Sequence, residues 1–472
     1  KLLKKSYIQS NSNRRFIIDV YRIFYNVRTR SVPFSFATNT PLSICVTKKT
    51  GIYYYVFARM RRGRLDASTS SSLPSRRRID HLSRVLSNRT SSSSSSTSIH
   101  IYGAIVMDIQ CENNNKASLE RGTSVPGSCS YVPGGVGRNM CETLGALALV
   151  SSSRDGLNVH MHSQIGDDFG RKMVEQLQRE LKVDVKDVRT DFGTRTSTVV
   201  ALLDARDGDN ELFACVADVA DVEIPLRNVN SSSGTRFVVC DANLSEEALR
   251  NVVNGKDPHH ECVFFEPTSV AKSVKIASIV DMVDATSPNA KELREMANAL
   301  RRKLAPGSPP SPCPFNPNLK FASAQDALNV LAGDLQILHS HGVKVVFLTL
   351  GELGSIVSSS CVESGKTRYA HVGAAKVNGT NISVVGAGDA FVAGTVYKLA
   401  SSSKVKFNFK ENVDAAAFGS KVAAACLETT SNSLGSSPEN ISKLEKLVRE
   451  ENNSRNSSSR IVELTPLIAA FP

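Results

Sequence analysis

The sequence predicts an α/β fold on a mainly parallel sheet, with a small β lid beside it. Three observations carry this reading. From residue 99 onward, short apolar runs alternate with helix-period segments, the pattern of strands joined by crossover helices. Two segments, about 109–132 and 190–220, break that rhythm and alternate every second residue, rich in Thr, Val, Ser and Gly. Apolar residues are 41% of the 472 and charged residues 22%, enough to bury a core.

Residues 1–98 do not read as a domain. They hold 19 Lys and Arg against three acids, Asp19, Asp66 and Asp80, and end in the run Ser91–Ser96. Such composition buries too little apolar surface to order itself, which predicts a disordered basic segment. Met60 is the first methionine, so one expectation is a native chain that starts near Met60, with residues 1–59 as upstream translated sequence. The remainder, Arg- and Ser-rich, has the composition of an organelle-targeting segment. Within it, Arg78-Ile79-Asp80-His81-Leu82-Ser83-Arg84-Val85-Leu86 resembles a type-2 peroxisomal signal, with Val85 where His or Gln is expected. Peroxisome is the first expectation, then mitochondrion or plastid, with cytosol the reading if the segment carries no address.

The body follows as residues 99–445. Residues 99–108 form an apolar strand-like stretch ending in Asp108, and Gly137–Val150 reads as a buried helix. Val159–Ile165 reads as a strand and Phe169–Lys182 as an amphipathic helix. Phe237–Asp241, Cys262–Glu266, Met282–Ala285 and Val343–Thr349 read as short apolar strands, with helical patterns at 289–303 and 324–341. Thr196–Asp204 and Glu211–Val216, joined through Arg206-Asp207-Gly208-Asp209, read as a hairpin of the lid. Pro306–Pro317 is a loop or insertion. Residues 446–472 read as a tail, polar until a short apolar end.

Charge and cysteine usage exclude several classes. The net charge of +12 suggests nucleic acid only until it is divided: beyond residue 98 there are 38 basic and 42 acidic residues. The predicted body is therefore mildly acidic, which argues against a nucleic-acid partner for it. No apolar run of 18 residues exists, so no ordinary membrane span is expected. The ten cysteines form no CxxC pair, which argues against structural zinc and a disulfide scaffold and leaves reduced, mostly buried thiols.

Four motifs could carry chemistry. Val385-Gly386-Ala387-Gly388-Asp389 precedes a helical pattern at Ala390–Leu399. Its small residues can aim several N–H groups at one anion, as helix N-termini do. Asp389 beside that spot suits a base taking a proton from an attacking hydroxyl; it would equally stabilise a helix dipole. Pro133-Gly134-Gly135-Val136-Gly137-Arg138-Asn139 allows close approach of a ligand, with Asn139 as donor and acceptor, or serves packing at a helix start. Asn289 and Glu292 share a helix face after Ser287-Pro288 and could hold waters around magnesium, or the segment is only a helix start with Pro at N1. Leu348-Thr349-Leu350-Gly351-Glu352-Leu353-Gly354 ends a strand where α/β sheets bind ligands, or is an ordinary turn.

In this order and spacing, the four motifs resemble the ribokinase-like (PfkB) family of carbohydrate and nucleoside kinases over about residues 99–435. Gly166-Asp167-Asp168-Phe169-Gly170 matches a recurring turn of that family. The subgroup most similar is the pseudouridine kinases. This rests on Thr123-Ser124-Val125-Pro126-Gly127 before the Tyr131–Asn139 motif, on Phe264–Ser273 and on Ser287-Pro288-Asn289.

The resemblance implies a three-layer α/β/α sandwich with a β lid, and ATP-dependent phosphorylation of a ribose 5′-hydroxyl. It implies Asp389 as base, and Gly386, Ala387 and Gly388 as N–H donors to the transferring phosphoryl. Asn289 and Glu292 would organise Mg2+. Asp108, Gly135 and Asn139 would hold the ribose hydroxyls, with Thr123 near the base. Thr349, Gly351 and Gly354 would line the ATP site. It offers a homodimer through paired lids. Ser383-Val384-Val385 stands where many members have Asp-Thr, which argues against activation by a monovalent cation. The alternative acceptors are ribose, fructose or a purine nucleoside. A non-catalytic relative would be expected to lack the base, and Asp389 is present.

Overall fold

The computed structural model describes residues 2–11, 14–23, 43–49, 52–61, 97–113, 124–151, 156–204, 211–227, 236–304, 320–360, 366–378, 385–402, 407–429, 433–435, 437–453 and 462–466. The chain divides into two units, Lys1–Arg89 and Thr90–Pro472.

The first unit holds β1 (Leu2–Asn11), β2 (Arg14–Ile23), β3 (Ser43–Lys49) and β4 (Ile52–Arg61) in an antiparallel sheet of order β1-β2-β4-β3. Composition predicted no order here. That average conceals local runs such as Phe16-Ile17-Ile18 and Ile52-Tyr53-Tyr54-Tyr55-Val56-Phe57, whose β-branched and aromatic residues favour strands. The targeting-like nonapeptide at 78–86 lies outside the described residues, as does the Pro-rich segment 306–317.

The second unit is a doubly wound α/β domain. Its ten-stranded sheet has the order β18-β17-β16-β15-β14-β13-β12-β5-β8-β9. The strands are β5 (Ser98–Tyr102), β8 (Asn158–Gly166), β9 (Val188–Asp191), β12 (Arg236–Asp241), β13 (Glu261–Glu266), β14 (Ala285–Thr286), β15 (Val345–Thr349), β16 (Ser355–Ser360), β17 (Thr367–Val372) and β18 (Val462–Leu464). From β9 to β15 the neighbours are parallel; β15 to β18 are antiparallel.

Helices cover both faces. On one lie α3 (Glu246–Val253), α4 (Val270–Ser273), α5 (Ala290–Leu304) and α6 (Ala324–Ser340); on the other α1 (Val136–Val150), α2 (Gly170–Leu181), α7 (Ala387–Ala400), α8 (Phe409–Leu427) and α9 (Pro438–Asn453). Strand alternation explains the division. Val238, Cys240, Val263, Phe265, Val346 and Leu348 join Leu249, Leu293 and Leu331 in one core. Phe264 and Phe347 stack on the opposite face with centroids 6.1 Å apart. Each such buried side chain contributes about 1.5–3 kcal/mol relative to exposure.

Four further strands form the lid: β6 (Val106–Asn113), β7 (Gly127–Gly134), β10 (Ser197–Asp204) and β11 (Glu211–Asp218), in the order β11-β10-β6-β7. The hairpin is β10–β11. Some boundaries differ from the sequence reading. Val188–Asp191, which overlaps the start of the expected lid range, pairs with β8 at the edge of the main sheet. The strand read at Met282–Ala285 is a short helical turn followed by Ala285–Thr286. The tail is partly built into the fold: α9 runs to Asn453 and β18 adds to the sheet edge through β17. Of the seven cysteines described in the second unit, Cys141, Cys240, Cys262 and Cys426 are buried, but Cys111, Cys129 and Cys215 are not. Among the described residues, no helix is long and apolar enough to cross a membrane.

Candidate active site

From β5 the chain winds outward to β8 and β9, then returns to β12 and winds the other way. The reversal falls between β5 and β12, and ligands of open α/β sheets bind beyond the carboxyl ends of such a pair. Here those ends carry Gly103 and Asp241. Asp241 is fully buried and accepts N–H bonds from Ala104 (3.1 Å), Gly137 (2.8 Å) and Asn243 (2.9 Å). It therefore pins the start of α1 to the end of β5. Burial nevertheless pushes its carboxyl above the ordinary range, against these hydrogen bonds.

Glycine lets these elements meet. A Cβ on Gly137 would stand 2.7 Å from the Cα of Gly103. Gly135, the cap of α1, has φ 96°, a left-handed conformation suited to glycine, and a Cβ there would meet Ala104 O at 2.5 Å. Gly134 lies against the carboxylate of Asp108, the third residue of β6. Arg138 and Glu142, both buried, form an i,i+4 ion pair. Glu142 also accepts the Ser433 hydroxyl at 2.6 Å, tying α1 to the 433–435 segment.

Helix α7 delivers the second half. Gly386 caps it at φ 80°, and Ala387, Gly388 and Asp389 form its first turn. The first helical bond recorded is Ala390 N to Gly386 O at 2.9 Å, so the preceding N–H groups have no intrahelical acceptor. A Cβ on Gly388 would meet nothing within 4 Å. Asp389 is half-buried, and Asn139 Nδ2 donates to its Oδ2 at 2.8 Å. Withdrawal from water raises its carboxyl to about 7; the Asn139 bond opposes this, and the charges of Asp241 and Asp108 add to it. A carboxylate poised there is matched to proton transfer near neutrality.

The other two motifs also meet. Asn289 Oδ1 accepts the N–H groups of Lys291 and Glu292, each at 3.0 Å, and Glu292 Oε2 accepts Asn289 N at 2.9 Å. This is a reciprocal capping box at the start of α5. Thr349 N donates to Pro288 O at 2.9 Å, setting the capping box beside the Gly351–Gly354 turn. Gly351 and Gly354 have φ 62° and 84°, and a Cβ on Gly354 would meet Val372 O at 2.1 Å. Thr123 lies outside the described residues, as do Ser383 and Val384.

Two residues missed as site members join the halves. Asp241 is one. Glu266, at the end of β13, is the other: its Oε2 is buried without a hydrogen-bond partner. Burial first, then the charges of Glu292 and Asp389, push its carboxyl well above the ordinary range. The following Thr268 has φ 63°, unusual for a β-branched residue, and its hydroxyl accepts from Ala242 N at 3.1 Å. In sequence, both acids stand at the last position of an apolar strand, which was the available signal.

An orphaned acid oxygen among like charges fits a divalent cation. Among the described residues no three His, Cys, Asp or Glu side chains converge as a metal cage. Contact through waters, as Mg2+ favours, suits the arrangement.

Comparison with known proteins agrees with this architecture. Residues 96–440 match the pfkB family carbohydrate kinase profile. The chain is 33% identical over 267 residues to a pseudouridine kinase of Arabidopsis thaliana, covering 55% of this chain and 64% of that protein. It is 27% identical over 321 residues to a pseudouridine kinase of Escherichia coli K12, covering 67% and 87%. Among solved structures, ribokinase from Cryptococcus neoformans var. grubii serotype A in complex with ADP superposes with a TM-score of 0.54 at 16% identity, over 75% of this chain and 99% of that one. That likeness identifies the fold as ribokinase-like, the three-layer sandwich expected. With its profile match spanning most of the chain, this protein belongs to the pfkB family of carbohydrate kinases.

Proposed function

We propose that this chain is a pseudouridine kinase, moving the γ-phosphoryl group of ATP to the 5′-hydroxyl of pseudouridine. The observation that carries the chemistry is Asp389 in the first turn of α7, its Oδ2 held by Asn139 Nδ2 at 2.8 Å beside the free N–H groups of the helix start. The acceptor is supported by the two pseudouridine kinase relatives.

In this reading the ribose lies over the switch point, against Asp108, Gly135 and Asn139. Asn139 fixes one oxygen of Asp389, and the carboxylate takes the proton of the attacking hydroxyl. N–H groups of Gly386, Ala387 and Gly388 meet the charge spreading onto the equatorial phosphoryl oxygens. The Thr349–Gly354 turn holds the nucleotide. Asn289 and Glu292, with Glu266 behind them, would hold Mg2+ through water; bound with ATP, it would supply charge neutralisation between the phosphates. Folding of the lid over the acceptor keeps water from the reaction. Ser383-Val384 in place of Asp-Thr suggests a reaction that needs no potassium. We assign the chain to the peroxisome on its imperfect signal at 78–86, which a fluorescent fusion with and without those residues tests.

Transfer of labelled γ-phosphate from ATP to pseudouridine, uridine, ribose, fructose and adenosine tests the reading. Turnover confined to pseudouridine is expected. Turnover confined to another acceptor would keep the Asp389 chemistry and replace the substrate.

A further inference from the structure

The lid carries a thiol pair for which phosphoryl transfer has no use. Cys111 in β6 and Cys129 in β7 stand directly opposite in antiparallel register, and Cys129 Sγ donates to Cys111 Sγ at 2.8 Å. Opposed residues of antiparallel strands have Cα atoms ~4.5–5.5 Å apart, inside the ~4.4–6.8 Å that a disulfide spans. Bridging them thus needs little backbone movement. Cys129 is exposed and Cys111 half-buried. Alternation places both on the lid face turned away from Asp108, beside Tyr131, itself 68% exposed. A soluble oxidant can therefore reach them without entering the site. Cys141, Cys240, Cys262 and Cys426 are buried, out of reach of a soluble oxidant.

We propose that Cys111 and Cys129 form a modification site, closing to a reversible disulfide by exchange with a low-molecular-weight disulfide such as oxidised glutathione. One cysteine, after losing its proton, attacks the glutathione disulfide; that S–S bond breaks and one glutathione leaves as thiol. The opposing cysteine then loses its proton and attacks the protein-bound sulfur, releasing the second glutathione. Two protein thiols are oxidised by two electrons, and one glutathione disulfide is reduced to two thiols.

The consequence rests on the kinase reading. Cys111 lies three residues beyond Asp108 on β6, and Cys129 five residues before Gly134 on β7; Asp108 and Gly134 meet in the site. A covalent link between the strands fixes their mutual twist and resists bending of the lid onto the acceptor.

The test treats the full chain with oxidised glutathione and follows intact and peptide mass. The expected product has lost two hydrogens, with Cys111 and Cys129 peptides joined. Dithiothreitol reverses it, Cys111→Ser and Cys129→Ser abolish it, and Cys215→Ser retains it. A stable glutathione adduct, a bond between other cysteines, or unreacted thiols would overturn the site. Acceptor kcat/KM of the oxidised protein is expected to fall several-fold with the KM for ATP unmoved, and no such fall in Cys111→Ser. Equal kinetics of the oxidised and reduced forms would overturn the effect on the lid. The mass readout holds whatever the acceptor, so failure of the kinase reading is recognised separately.

Discussion

Asn139 and Asp389, 250 positions apart in sequence, share a hydrogen bond of 2.8 Å from Nδ2 to Oδ2. It joins the first turns of two helices that start on glycine, one following the lid and one late in the chain. The amide holds the carboxylate while burial and two neighbouring acids raise its affinity for protons.

Asp389→Asn should lower kcat by ~10²–10⁴, the range for losing a positioned base. In wild type, kcat/KM should rise with pH and level off above an apparent pKa near 7. Stability runs the other way. Because the folded carboxyl binds its proton more tightly than the ordinary 3.8, the fold loses stability as pH rises from about 4 through about 7. Asp389→Asn should therefore have a higher Tm than wild type at pH 8, with the difference vanishing near pH 4. Thermal denaturation across pH checks this.

Asn139→Ala removes the hydrogen bond that holds the Asp389 pKa down against burial and the neighbouring acids. The limb of the kcat/KM profile should move to higher pH, and the plateau should fall as the carboxylate loses its hold. A pH-rate profile for the variant reads both. An unmoved limb would mean that Asn139 only packs.

Glu292 serves both a helix start and the expected cation site, and one variant separates them. Glu292→Gln keeps an oxygen to accept Asn289 N, so the Tm should stay close to wild type, while half-saturation by Mg2+ rises. Asn289→Ala removes the cap and should cost about 1 kcal/mol of stability. If Glu292→Gln leaves the Mg2+ dependence unchanged, the motif is only a cap.

Two glycines should respond oppositely to alanine. Gly137→Ala drives a Cβ into the Gly103 backbone and should destabilise by about 1–3 kcal/mol. Gly388→Ala meets no protein atom within 4 Å and should fold normally, yet its methyl would occupy space expected for phosphate. A denaturant titration paired with kcat for each variant decides this.

Much of this was legible in the sequence because it is local. The apolar strands from Val159 to Thr349, the glycine-capped helices and the lid hairpin each declare themselves within a few residues. What was not legible depends on long-range pairing. Nothing local to Val188–Asp191 shows that it pairs with β8, or that Val462–Leu464 pairs with β17. Asp241 and Glu266 read as strand ends, and only the assembled sheet brings them against α1 and α5. Averaged composition likewise hid the strand-forming runs of residues 2–61 among basic and polar neighbours.

The most direct test of the central claim is ATP-dependent turnover of pseudouridine beside its isomer uridine, by wild type and Asp389→Asn, with phosphorus NMR to locate the new ester. The account predicts pseudouridine 5′-phosphate from wild type, a far lower kcat/KM for uridine, and almost no product from the variant. Equal turnover of both nucleosides, or undiminished turnover without the carboxylate, would contradict it.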